Sequence, residues 1–234
     1  MTSTTIRRRP VPLALLAALA VLTGLFVAFA PSHDHAAAAD HPGHGQASSA
    51  GLPTADRVAF HDQMRKLWED HVTWTRLAIV TFADGSGGFN ATAGRLLQNQ
   101  VDIGDAIKPF YGDAAGNQLT SLLHDHITIA VELLQAAKAG DTAAFDDANA
   151  RWSDNANQIA DFLAAANPHF WPDDTMRAAM KTHLDQTLTE ASDELTGDYA
   201  GSVAAYEEIH QHILDMADLL SAGVMQQFPG RFGH

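Results

Sequence analysis

The chain has 234 residues, of which 46% are hydrophobic and only 18% charged, enough apolar material for one packed domain or two small ones. Its formal net charge of −14, with no basic cluster beyond the N-terminus, argues against a nucleic-acid partner and against docking on an anionic membrane. With no cysteine, the chain has no disulfide, thiolate metal site, iron–sulfur cluster or cysteine nucleophile, so any metal ligand must be His, Asp, Glu, Asn or Met.

At the start, three arginines precede twenty uncharged, largely apolar residues from Val11 to Ala30. Residues 1–39 are therefore expected to be an export signal or an uncleaved N-terminal membrane anchor, placing the protein outside the cell or in its envelope. Residues 40–53 are expected to be a flexible His-containing linker, part of an Ala-, Gly- and Ser-rich stretch that carries His33, His35, His41 and His44. Cleavage after Ala38 leaves Ala39-Asp40-His41 at the new N-terminus, a set of nitrogens suited to square-planar Cu(II) or Ni(II).

From Thr54 onward the apolar periodicity is helical, with Gly and Pro falling between the periodic segments. It predicts six helices, roughly 55–83, 91–108, 114–139, 142–166, 174–196 and 199–227, and nothing strand-like. Gly140-Asp141 and Gly197-Asp198 each read as a helix stop followed at once by a helix start. The breaks "KPFYGDAAG" and "NPHFWPDD" carry aromatics expected to plug the end of a bundle.

The stretches "NQVDIGDAI" from Asn99, "NANQIADFL" from Asn155 and "HILDMADLL" from His212 superpose without a gap. Upstream, a histidine precedes a glycine by fourteen residues three times: His71 and Gly85, His126 and Gly140, His183 and Gly197. These histidines lie 55 and 57 residues apart, and 28, 29 and 29 residues before Asn99, Asn155 and His212. The expected fold is all-α, a six-helix up-and-down bundle of three repeated helical hairpins over about 54–110, 111–170 and 171–228 within a domain spanning 54–234.

In an antiparallel hairpin, residues equally far from the turn lie level with one another. His71, Asn99, His126, Asn155, His183 and His212 are thus expected in one layer, about 20 Å from the turns at 1.5 Å per residue. The faces of His71 and His126 are apolar, whereas His183 shares its face with Gln186, Thr187 and Glu190, and His212 with Glu208 and Asp215. A lone inward histidine in a bundle is usually hydrogen-bonded structure that fixes register. Several at one level beside carboxylates suggest a site for a transition metal ion such as Zn, Cu, Ni or Fe, with candidate ligands His71, His126, His183, His212, Glu208, Asp215 and Asp102. The expectation is metal binding or sensing; the rivals are a metal-dependent enzyme and a structural or partner-binding bundle. Asp105, Asp161 and Asp218 are expected to be solvated or to make interhelical pairs.

The segments "HVTWTRLAI", "LLQNQVDIGDAIKPFYG", "DHITIAVELLQAAKAGD", "IADFLAAANP" and "HILDMADLLSAG" with "QQFP" resemble a family of bacterial helical proteins of unknown function. Members are often called glycosyltransferases or acetylglutamate kinases, but this chain has neither the nucleotide-binding glycine loop nor the strand pattern those activities need. The resemblance implies a helical fold and no site residue.

Overall fold

A computed structural model describes residues 54–233, in which every long element is a helix and no strand occurs among the described residues. The signal or anchor expected over 1–39, the linker over 40–53 and the Ala39-Asp40-His41 motif lie outside them. The helices are α1 (Ala55–Ala83), α2 (Phe89–Tyr111), α3 (Asp113–Ala139), α4 (Thr142–Ala166), α5 (Asp173–Thr196) and α6 (Tyr199–Gln227), with a short 3₁₀ turn at Pro229–Arg231. No helix among the described residues is long and apolar enough to cross a membrane.

Local chemistry sets the helix ends. Gly140 and Gly197 take the left-handed conformation at φ 73° and 84°, which side-chain-bearing residues adopt only with strain. The next residue then caps the following helix: Asp141 Oδ1 accepts from the Ala144 N–H at 3.0 Å and Asp198 Oδ1 from the Gly201 N–H at 3.0 Å. Replacing Asp141 by Ala should lower stability in urea unfolding by about 1 kcal/mol, the usual worth of an N-cap. The same change at exposed Glu207 should leave it unaltered. One boundary differs from the pattern: α2 runs through Pro109 to Tyr111, where Gly112 at φ 84° ends it. A proline so close to the end of α2 disturbs only its last turn.

Each helix packs against its neighbours in sequence, and α1 also packs against α6. The superposed motif explains itself in this packing. Its Ile or Met position is buried (Ile103, Ile159, Met216), as is its last apolar position (Ile107, Leu163, Leu220). Its Gly or Ala position lies where a neighbouring helix comes close: a Cβ on Gly104 would stand 2.6 Å from the Gly116 carbonyl oxygen of α3. Its final aspartate reaches a cation: Asp105 pairs with Lys108, Asp161 with Arg177 of α5, and Asp218 with Arg65 of α1. The aromatics of the breaks gather as expected, with Phe110 against Phe60, Phe228 and Phe232, and Tyr111 against Trp171 and Phe228.

Candidate functional site

Three of the four candidate histidines meet in the core. His71 of α1, His126 of α3 and His183 of α5 are 2%, 3% and 5% exposed, and His183 stands between the other two. Its ring centroid is 5.6 Å from that of His71 and 6.1 Å from that of His126. Trp152 stacks on His126 at 5.1 Å, and Trp68 meets His71 edge-on at 5.8 Å. The three rings border a cavity of about 50 Å³ whose remaining wall is mainly Ile79, Leu96, Ile127, Leu134 and their apolar neighbours.

Burial keeps the three imidazoles neutral. It pushes His71 down to about 3, helped by the repulsion that a protonated His126 would exert and opposed by hydrogen bonds with Gln100 and Asn99. It pushes His126 down to about 4 against the opposing bond with Asn155. His183 lies well below the ordinary range, first through burial and then through repulsion from His71, His126 and His212. At neutral pH each ring therefore carries one N–H and one bare lone pair.

The neighbours fix which nitrogen is bare. Asn155 Nδ2 donates to the Leu122 carbonyl at 3.0 Å, so its Oδ1 faces His126 Nδ1 at 2.8 Å and accepts from it. The proton of His126 is thus on Nδ1, and its unprotonated Nε2 is buried with no hydrogen-bond partner among the described residues. Gln100 Nε2 donates to the Leu96 carbonyl at 2.8 Å and lies 3.3 Å from His71 Nδ1, which accepts and leaves the proton on Nε2. His183 Nδ1 is also buried and unpartnered among the described residues.

One bond recurs three times around this layer. Asn99 Nδ2 donates to the Leu67 carbonyl at 2.9 Å, Asn155 Nδ2 to Leu122 at 3.0 Å and His212 Nε2 to Ala179 at 3.0 Å. Each acceptor lies four residues before one of the three buried histidines. A side chain there must donate to a carbonyl, which both Asn and His can do. His212 is half-buried and spends its Nε2–H on this bond.

The candidate carboxylates stand elsewhere. Asp102 is paired with Arg95 at 3.4 Å and accepts from Gln98, Asp215 is exposed and accepts from Gln211 at 2.8 Å, and Glu208 is exposed. Among the described residues, no group of three or more His, Asp or Glu side chains forms a ready-made metal shell. Comparison of the chain with protein-family models, curated proteins and solved structures finds no match in any of the three. What can be said of this site rests on its own chemistry.

A second buried polar group adjoins the first and was only partly legible. Glu190 was visible on the face of His183, but its partners Arg76, Glu194 and Ser202 carried no signal of their own. Arg76 Nη1 lies 3.1 Å from Glu190 Oε1 and Nη2 lies 3.4 Å from Glu194 Oε2. Burial, only partly offset by Arg76, pushes the Glu190 carboxyl up to about 7.

Proposed function

We propose that this protein is an exported, six-helix up-and-down bundle of three helical hairpins whose histidine cavity binds a transition metal ion, for binding or sensing rather than turnover. The observation that carries the metal reading is the bare, buried Nε2 of His126, with its Nδ1–H held by Asn155. A histidine ligand whose other nitrogen donates to a fixed carbonyl is how proteins orient imidazole toward a metal. Among the described residues, nothing hydrogen-bonds the His183 ring to resist its rotation toward a shared ion. The proposed ligands are His126 and His183, joined by His71 only if its Nδ1 gives up the bond that Gln100 Nε2 now donates to it, with His212 and the carboxylates Asp102, Glu208 and Asp215 outside the shell.

Neutral ligands in an apolar cavity leave the charge of the ion uncompensated, so a monocation costs less to bury than a dication. Among imidazole-binding metals this favours Cu(I) over Zn, Ni and Fe(II). Support for the hairpin array comes from the thrice-repeated carbonyl bond and from the glycine–aspartate links at 140–141 and 197–198. The resemblance to bacterial helical proteins agrees with the fold and adds nothing to the chemistry.

A second reading, a structural bundle whose imidazoles bond to buried water, is favoured by the His126 and His183 rings, which are stacked rather than convergent. The cavity of about 50 Å³ has room for a water molecule, which needs only about 10–15 Å³. The two readings separate in thermal melts of protein purified without a histidine tag, in reducing buffer, with Cu(I), with Zn(II) and with chelator. Metal binding should raise the melting temperature of wild type and of His212→Ala, because a ligand of the native state stabilises it by mass action. Coincident melts of wild type under all three conditions, with no metal in the purified protein, leave the structural reading.

A further inference from the structure

Arg76 of α1 holds two carboxylates of α5, and the count of charges there does not balance. Glu194 Oε2 has two partners, the guanidinium at 3.4 Å and the Ser202 hydroxyl, which donates to it at 2.7 Å from α6. Ser202 Oγ in turn accepts from Arg76, whose guanidinium also lies 5.7 Å from the ring of Tyr206. Glu190, 0% exposed, has the guanidinium at Oε1 only, and its Oε2 is buried without a partner among the described residues. One cation facing two buried carboxylates leaves an excess negative charge, and Glu190 is the member least able to bear it.

The position of the cluster gives this proton a consequence. Thr75, Ala78 and Ile79 of α1 and Thr187, Leu188 and Ala191 of α5 line the histidine cavity. Arg76 and Glu190 alternate with these wall residues on the same two helices. We propose that Arg76, Glu190, Glu194 and Ser202 form a proton-operated latch that ties the α1–α5 wall of the histidine cavity to α6, closed while Glu190 is protonated and loosened when it ionises.

The charged groups acting on Glu190 are Arg76, which favours ionisation, and Glu194, which opposes it, while burial is the larger influence. Its carboxyl is raised from 4.5 in the open chain to about 7 in the fold. The stabilisation is therefore complete below pH 4.5 and is lost as pH rises through 7. Between pH 6 and pH 8 the loss amounts to roughly a tenfold change in the local opening equilibrium.

Amide hydrogen exchange on the metal-free protein at pH 6 and pH 8, corrected for intrinsic rates, tests this without reference to any metal. Glu190→Gln, which keeps the shape of the protonated acid, carries the pH dependence of the buried histidines alone and serves as the reference. From pH 6 to pH 8, protection over 75–82 and 184–194 should fall roughly tenfold in wild type relative to Glu190→Gln. The same pH dependence in wild type and Glu190→Gln overturns the latch. Should that variant fail to fold, carboxyl NMR titration of wild type decides: a Glu190 midpoint near pH 7 supports the latch, and one in the ordinary carboxylate range overturns it.

Discussion

Lowering the pH from 7 to 5 is expected to cost the metal-free bundle several kcal/mol of its stability. His71, His126 and His183 titrate near 6.5 in the open chain but stay neutral in the fold, with His71 at about 3, His126 at about 4 and His183 well below its ordinary value. A histidine with a depressed folded value contributes stability that is present above pH 6.5 and is lost as pH falls toward the folded value. Each ring that stays neutral in the fold costs about 2 kcal/mol between pH 7 and 5, so three cost about 6. Glu190 acts in the opposite sense, since its raised value returns about 2 kcal/mol over the same interval. The net loss of about 4 kcal/mol is a large share of the 5–15 kcal/mol that ordinarily separates folded from unfolded chains. Urea midpoints at pH 7, 6 and 5 measure it. A flat profile would mean that the three rings are not buried together.

The pattern that reveals this core is periodic, and periodicity explains why some of it was readable. Helix number, the glycine–aspartate links and the level of His126 with Asn155 all follow from the regular rise and turn of a helix, which the spacing of residues reports directly. Asp105, Asp161 and Asp218 are expected from the sequence to be solvated or to pair between helices, because the position following a buried small residue turns toward the rim; Asp161 and Asp218 pair between helices, and Asp105 pairs within its own. Which residues enter the site was less legible. Asp102, Asp215 and Glu208 share helical neighbourhoods with Asn99 and His212, yet lie far enough round the helix for water to reach them, and a charged group takes that option. Gln100 and Arg76 were hidden for the converse reason. Each is an unremarkable polar residue until a neighbouring helix covers it, and helix rotation is set by packing across the whole core rather than by the segment itself.

Replacing His183 by Leu is expected to stabilise the metal-free protein at pH 7, by about 1–3 kcal/mol, while abolishing metal binding. The unpartnered Nδ1 of His183 carries an uncompensated desolvation cost, and a leucine of similar volume in that apolar wall carries none. The contrast is His126→Leu, which leaves Asn155 Oδ1 buried without the N–H that now reaches it at 2.8 Å. That variant should lose about 1–3 kcal/mol. In a domain of this size the two shifts correspond to roughly 2–4 °C per kcal/mol in opposite directions. The His183→Leu protein should also resist acid better than wild type, having one fewer buried imidazole to charge. A histidine whose replacement raises stability does not serve folding, and that outcome favours the proposed metal binding over the bundle with buried water. If His183→Leu instead falls as far as His126→Leu, His183 is a satisfied structural residue and the metal reading loses its central ligand.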